Sequence, residues 1–334
     1  MKRKPVVALT MASSMQKRLF GGPNMRVLKA VAGKVVAHRK DTRADAADLR
    51  RLLRDADVVI SSWGSPCITP EVLALAPHLK LICHAAGTVK TVTSEAVWKR
   101  GIRVTSAAAA IAVAVAETTL ACILTGLKGM FPIREKLRGG VDWWKAREGS
   151  REMHAKTIGI IGASHVGRNV MRLLSVFDVN VLLYDPYVDK GKAKRLGVTK
   201  VTLTQLLKKS HVVSLHAPST DETYHMLGAK QFRMMRDDAV FVNTARGSCV
   251  DEKALVRELK KGRFFAFIDV TDPEPPVKGH AFYKLDNVVL LPHIAGTVDD
   301  ITPLGKLAVE EVRLFSRGRK AMYPVTAEML SRIG

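Results

Sequence analysis

The chain has 334 residues, long enough for two domains with separate cores, and its 47% hydrophobic and 25% charged residues are those of a soluble globular protein. Its 53 Lys and Arg against 31 Asp and Glu give a formal net charge of +22, a field that attracts anionic substrates and, non-specifically, nucleic acid. The basic residues run from Lys2-Arg3-Lys4 to Arg317-Arg319-Lys320 with no stripe of interleaved aromatics, so no dedicated nucleic-acid site is expected. Cys67, Cys83, Cys122 and Cys249 form no C-x-x-C pair, which argues against a zinc site or a disulfide framework and leaves four buried thiols as the plain expectation.

The basic start is followed only by Pro5 to Leu9 as an apolar run. Secretory apolar regions are longer, so this reads as a first strand, and the scattered cysteines suit the reducing setting of a cytoplasmic protein. Short apolar strands are expected at 6–10, 35–37, 58–61 and 79–84, with helices at 44–54 and 69–76 between them. Thr69 as N-cap and Pro70 at the first helical position mark the second of these helices. That alternation predicts a small α/β domain on a parallel sheet, ending in the turn His84-Ala85-Ala86-Gly87-Thr88. Residues 108–126 form a long apolar helix. It is alanine-rich and carries Glu117 near its middle, so a buried helix is expected and no membrane span. Residues 134–151 are read as a charged connection bearing Trp143 and Trp144, which either reach the cleft of their own or a neighbouring subunit or, as the favoured reading, pack in the core. Further strands follow at 157–161, 179–183, 198–203, 212–215, 239–243, 264–270 and 288–291, with helices at 203–210 and 252–261. The tail from about Asp299 is helical, with Leu304, Leu307, Val312 and Phe315 on its apolar side. The fold class is therefore α/β, a doubly wound parallel-sheet (Rossmann) nucleotide domain at 108–298 inserted in a smaller flavodoxin-like α/β domain at 1–107 and 299–334.

The stretch from Thr157 to Tyr187 carries the strongest signal. A buried-strand run leads into Gly162-Ala163-Ser164-His165-Val166-Gly167, then a helical pattern, then a second strand ending at Asp185. Strand, glycine turn, helix, strand and acid within about 30 residues form a dinucleotide-binding unit. A pyrophosphate needs backbone N–H donors at a helix N-terminus, where the dipole also favours negative charge. Asp185 stands eighteen residues after Gly167, where a carboxylate can accept from both adenosine ribose hydroxyls and repel a 2′-phosphate. With no arginine adjacent in Asp185-Pro186-Tyr187, NAD is expected rather than NADP. One position departs from G-x-G-x-x-G: Ser164 replaces the middle glycine, and its Cβ limits the approach of backbone to phosphate. An ordinary βαβ unit without nucleotide is the alternative.

Three polar residues follow late strands. Arg246 lies in Asn243-Thr244-Ala245-Arg246-Gly247, Glu274 in Asp269-Val270-Thr271-Asp272-Pro273-Glu274-Pro275, and His293 in Pro292-His293-Ile294-Ala295-Gly296. Parallel sheets present ligand-binding groups at such strand ends. Singly, each has a structural reading as a surface ion-pair partner, a solvated acid and a core histidine.

These segments resemble the D-isomer-specific 2-hydroxyacid dehydrogenase family, which includes glyoxylate/hydroxypyruvate reductases and phosphoglycerate dehydrogenases. The resemblance runs from about Leu79 to Gly296 and includes Val115-Ala116-Glu117, the glycine turn, and Leu215-His216-Ala217-Pro218 with Thr223. It implies that Arg246 grips the substrate carboxylate or carbonyl. His293 would act as acid/base, and Glu274 would fix its tautomer and favour its protonated form. The amides around Ala86 and Gly87 would bind the substrate carboxylate, with no metal. The cofactor would meet Gly162, Ser164, His165, Val166, Gly167, Asp185, Ala217, Pro218, Thr223, Thr244, Asp269 and Gly296. Members often carry aspartate at the place of Val89. Glu274 stands where formate dehydrogenases carry glutamine, and Ala86 where phosphite dehydrogenases carry lysine. The implied function is NAD-dependent interconversion of a small 2-oxo acid and its D-2-hydroxy acid, glyoxylate or hydroxypyruvate first, in a homodimer. Phosphoglycerate ranks lower because the chain ends at Gly334 without the regulatory domain of many such enzymes. The alternative is an NAD-sensing binding protein or corepressor on the same fold.

Overall fold

Most strands here are apolar runs of four to six residues, and several helices open on a capping side chain. In the computed structural model, which describes residues 3–333 and leaves Met1, Lys2 and Gly334 outside, the chain runs in order through β1 (Val6–Leu9), α1 (Ser13–Phe20), α2 (Pro23–Val31), β2 (Lys34–Ala37), α3 (Ala46–Leu53), β3 (Val58–Ser61), α4 (Pro70–Ala74), β4 (Leu81–His84), α5 (Glu95–Lys99), β5 (Arg103–Ser106) and α6 (Ala108–Lys128). It continues through α7 (Met130–Arg138), α8 (Trp143–Ala146), β6 (Lys156–Ile161), α9 (His165–Leu174), β7 (Val179–Tyr184), α10 (Lys190–Arg195), β8 (Thr199–Lys200), α11 (Leu203–Lys209), β9 (Val212–Leu215) and α12 (Ala229–Met234). The last elements are β10 (Val240–Asn243), α13 (Glu252–Leu259), β11 (Phe265–Ile268), β12 (Val288–Leu290), α14 (Thr302–Ser316) and β13 (Pro324–Val325).

The described residues divide into two compact units, one of 3–111 with 297–333 and one of 112–296. The first holds a six-stranded sheet in the order β13-β5-β4-β3-β1-β2. Its five parallel strands follow the flavodoxin-like order. Contrary to the all-parallel expectation, β13 pairs antiparallel with β5, Pro324 opposite Thr105. Alternate side chains sort to opposite faces, as strand geometry requires. Val7, Leu9, Val58, Ile60, Leu81 and Cys83 pack with residues of α1, α2 and α14, whereas Ala8, Val59 and Ile82 pack with α3, α4 and α5. Asp45 caps α3 by accepting from the Asp48 amide at 2.8 Å, and Thr69 caps α4. Leu304 and Val312 of α14 are fully buried, and Leu307 and Phe315 pack against the same core.

The second unit holds a seven-stranded parallel sheet in the order β12-β11-β10-β9-β6-β7-β8. The order reverses at β6, between β9 and β7, and open α/β sheets bind ligands outside the strand ends at such a switch point. Val213, Leu215, Phe241, Ala266 and Ile268 face α11 to α13, while Ile158, Ile160, Val240, Val242 and Phe267 face α6 and α9. Burying each such side chain contributes about 1.5–3 kcal/mol.

Some expected elements are shorter or differently made. The 198–203 strand reduces to Thr199–Lys200, because Thr202 caps α11 in a reciprocal box with Gln205. The 134–151 connection is partly helical, in α7 and α8. Trp143 and Trp144 do not pack in a core but are 64% and 69% exposed. Cys67 is only partly buried, and the other three thiols are buried and free. The apolar helix α6 is a core helix along one face, burying Val115, Ala116, Thr119, Cys122 and Ile123 while Val113 and Glu117 are exposed.

Candidate active site

The glycine turn at the end of β6 is held from beneath. Gly162 adopts φ +94°, and a Cβ there would lie 2.8 Å from the Ala217 amide and 2.9 Å from the His216 carbonyl. A Cβ on Gly167 would lie 2.1 Å from the Gly162 carbonyl oxygen. Neither position admits another residue without moving backbone, so turn and helix sit as close as a phosphate cradle needs. Ser164, the departure from the glycine pattern, is the N-cap of α9. Its hydroxyl accepts from the Gly167 amide at 3.3 Å, a cap that contributes about 1 kcal/mol. His165 and Val166 open the helix, with Val166 half-buried. Partial burial and the neighbouring Arg168 cation hold the His165 imidazole below its usual range.

Asp185, after β7, accepts from the Ala163 amide at 2.7 Å through Oδ2 and from the Tyr187 amide at 2.8 Å through Oδ1. It thus braces the turn, and each oxygen keeps a further lone pair for a hydroxyl donor. After β9, Thr223 donates to the Pro218 carbonyl at 2.6 Å and fixes the loop after Ala217. His216, 3% exposed, lies under the glycine turn with Nε2 2.8 Å from Ser214 Oγ, and burial pushes it down to about 3.

The other predicted residues gather at the ends of β10, β11 and β12. His293 follows β12 with φ +53°, a left-handed conformation that costs a non-glycine residue about 1–3 kcal/mol and is concentrated at functional sites. Asp269, 2% exposed at the end of β11, holds that turn. Its two oxygens accept from the Ile294 amide at 2.8 Å and the Ala295 amide at 3.0 Å, and its carbonyl accepts from the His293 amide at 2.9 Å. His293 Nδ1 meets Glu274 Oε1 at 2.5 Å, with side chains 50% and 42% exposed. That contact leaves Nε2 as the nitrogen presented outward. Arg246 follows β10 and is exposed, donating through Nη1 to the Ala245 carbonyl at 2.7 Å.

Residues to which the sequence assigned no bracing role support these turns. Asn243, 1% exposed, accepts from the Ala245 amide at 3.1 Å and donates to the Arg246 carbonyl at 3.2 Å, shaping the arginine turn. Thr244 Oγ1 is 2.9 Å from Thr119 Oγ1 on α6, and Thr118 donates to the Ala295 carbonyl just before Gly296. Gly247 packs so tightly on Thr271 that a Cβ would lie 2.1 Å from its carbonyl carbon. The Arg246 turn and the Glu274 loop therefore share one backbone contact. A buried asparagine or a packed glycine has no periodicity of its own, and only the position just after a strand could have flagged them.

In the other unit, the carbonyls of Ala86 and Gly87 accept from Ser106 Oγ at 3.2 and 2.5 Å. The amides of Ala86 and Gly87 make no hydrogen bond among the described residues. Val89 is fully buried in the core, so this turn carries no acid there. His84, at the end of β4, is held 3.0 Å from Ser61 Oγ and pushed down to about 4 by burial.

Residues 120–295 match the family model of the D-isomer specific 2-hydroxyacid dehydrogenase, NAD binding domain. The chain belongs to the D-isomer-specific 2-hydroxyacid dehydrogenase family. A glyoxylate reductase of Thermofilum pendens is 33% identical over 322 residues, covering 94% of each chain. A D-3-phosphoglycerate dehydrogenase of Methanocaldococcus jannaschii is 33% identical over 277 residues, covering 82% of this chain and 52% of that one. This chain thus spans about half the length of the phosphoglycerate dehydrogenases it matches. The crystal structure of a phosphoglycerate oxidoreductase from Rhizobium etli superposes with a TM-score of 0.82 at 25% identity, covering 97% of this chain and 98% of that one.

The second unit is this dehydrogenase family's NAD-binding domain, and its residues fit the cofactor. The cradle at Gly162 and Gly167 is closed to any side chain, the N-terminus of a 10-residue helix lies against it, and Asp185 stands beside it. A second carboxylate-free, arginine-lined phosphate site beside Asp185 would be needed for NADP. Arg168 of α9 instead donates through Nε to the Ala163 carbonyl at 2.8 Å.

Proposed function

We propose that this chain is an NAD(H)-dependent oxidoreductase that reduces a small 2-oxo acid to its D-2-hydroxy acid, with glyoxylate or hydroxypyruvate as the preferred substrate. The observation that carries the reading is the His293–Glu274 contact of 2.5 Å, with Arg246 exposed just after the strand Val240–Asn243 of the same sheet. NADH, which the Gly162–Gly167 turn and Asp185 would hold, would supply the hydride for reduction of the carbonyl. Arg246 has five N–H donors, one of them used on Ala245, and holds the substrate carboxylate or carbonyl oxygen with the rest. Glu274 accepts from Nδ1 of His293, which keeps the proton to be donated on Nε2. His293 then gives that proton to the carbonyl oxygen as the hydroxyl forms, and takes it back in the reverse direction.

The substrate preference is supported by relatives of matching length named glyoxylate reductase, in Thermofilum pendens at 94% coverage and Korarchaeum cryptofilum at 81%. A homodimer is supported by the exposed Met130, Phe131, Leu137, Trp143 and Trp144 of α7 and α8, since exposed apolar side chains close together in the chain mark interaction surfaces. Free thiols support a reducing, cytoplasmic setting. The test is NADH oxidation against glyoxylate, hydroxypyruvate, phosphohydroxypyruvate and bulkier 2-oxo acids, with sedimentation of the same sample. Turnover highest on the two small acids is expected. Highest turnover on the phosphorylated acid would move the substrate assignment, and NADH binding without turnover on any acid would favour the sensor or corepressor reading.

A further inference from the structure

Glu252 is a largely buried acid that the proposed chemistry does not use. It is the first residue of α13, directly after the N-cap Asp251, and its side chain is only 12% exposed. Its Oε1 accepts from the Asp272 amide at 2.8 Å. Asp272 leads straight into Pro273-Glu274-Pro275, so this hydrogen bond ties a helix N-terminus to the loop that presents Glu274. Two other contacts hold the same loop: the Thr271 hydroxyl donates to the Pro273 carbonyl at 2.9 Å, and Gly247 packs beneath Thr271. Of the three, Glu252 alone is a side chain reaching in from another element.

We propose that Glu252 is a positioning residue for the acid/base pair, clamping through the Asp272 amide the loop that delivers Glu274 to His293. The proposal rests on the reading of His293 and Glu274 given above. A clamp of this kind matters because Glu274 and His293 are themselves half-exposed. Water screens their mutual attraction, so their alignment depends on the backbone that carries them rather than on the pair alone. Small misplacements of such a group lower turnover while leaving cofactor binding intact.

The clamp is also sensitive to pH. The titratable groups facing Glu252 are Asp272, from the loop, and His280, whose Nε2 stands 3.5 Å from Glu252 Oε2. His280 Nδ1 accepts from the Phe282 amide at 3.3 Å, which leaves the proton of a neutral ring on Nε2, toward Glu252. Burial, with the Asp272 carboxylate adding to it, pushes Glu252 up to about 7, and burial holds His280 below its usual range. An ionised carboxylate accepts a backbone N–H about twice as strongly as a neutral one. The clamp therefore tightens as pH rises through neutrality, whereas the amide of a glutamine at this position accepts equally at every pH.

The experiment measures kcat, KM and NADH affinity for Glu252→Ala and Glu252→Gln across about pH 6 to 8, with His293→Ala prepared alongside. E252A is expected to lose about tenfold or more in kcat with NADH affinity within about twofold of wild type. E252Q is expected to recover most of that loss at low pH, and the wild-type to E252Q ratio of kcat is expected to rise as pH increases. A kcat for E252A within about twofold of wild type, together with loss of turnover in H293A, would overturn the clamp and leave the acid/base reading standing. Full turnover in H293A would overturn both. If E252A does not fold, a pH profile of E252Q that superimposes on wild type overturns the proposal by itself.

Discussion

Gly247→Ala tests whether the Arg246 turn and the Glu274 loop are positioned by direct contact. An added Cβ would lie 2.1 Å from the carbonyl carbon of Thr271, 2.3 Å from its oxygen and 2.5 Å from the Asp272 amide nitrogen. All three are backbone atoms, so no side chain can swing aside, and the loop or the turn must move by more than an ångström to reach ordinary contact distance. Overpacking of this kind costs about 1–3 kcal/mol. For a unit of this size each kcal/mol lowers the melting temperature by roughly 2–4 °C. The larger effect falls on chemistry: displacing Glu274 or Arg246 by about 1 Å lowers turnover by about 100-fold. The assay is steady-state reduction of the preferred 2-oxo acid at saturating NADH, with fluorescence titration of NADH as the binding control. NADH affinity stays near wild type, because the glycine turn at Gly162 does not touch this contact. A G247A protein with unchanged kcat and melting temperature would refute the reasoning, since the backbone could then absorb a clash the structure does not allow.

Asp269→Ala frees the Ile294 and Ala295 amides and releases the left-handed turn at His293, so kcat falls by about 100-fold or more; equal kcat in a folded D269A protein contradicts the bracing role. Asp185→Ala removes the proposed acceptor for the ribose and the brace on Ala163, so NADH affinity drops and discrimination against NADPH narrows, measured as the ratio of the two dissociation constants. An unchanged ratio would mean that Asp185 is a turn brace only. His84 and His216 have folded values of about 4 and about 3, below the unfolded histidine value. The unfolded chain therefore takes up protons first, and stability is lost as pH falls below about 6.5, by about 1.4 kcal/mol per unit for each histidine. Glu252, raised to about 7, works in the opposite direction, gaining stability as pH falls from there toward its unfolded value. Urea melts at about pH 7 and pH 5 on wild type and His216→Asn separate the two, and an equal pH slope in both proteins would contradict the assignment to His216.

The strands and the strand-end residues were legible because parallel α/β sheets write themselves as short apolar runs followed by a polar turn. Val58–Ser61 and Val212–Leu215 fall where the apolar runs put them. The antiparallel β13 was not legible, because two residues, Pro324 and Val325, make no pattern, and their pairing with β5 depends on the path of the tail after α14. Trp143 and Trp144 misled for a physical reason: an aromatic pair signals burial only when the chain has a core to offer, and α8 has only Ala146 buried. At the site, Arg246, Glu274 and His293 were visible as residue types at strand ends. Asn243, Gly247, Glu252 and the bracing action of Asp269 were not, because each acts through a hydrogen bond or packing contact between segments distant in sequence. Ser164 looked like a damaged glycine fingerprint, and its value as an N-cap emerges only with the φ and ψ of the helix start.

The most direct measurement is the pre-steady-state reduction of the preferred 2-oxo acid by wild-type protein and by His293→Ala, each first shown to bind NADH. Equal NADH affinity with hydride transfer slowed by about two or more orders of magnitude in H293A is the expected result. Equal affinity with equal hydride-transfer rates would contradict it, and would remove His293 from the chemistry.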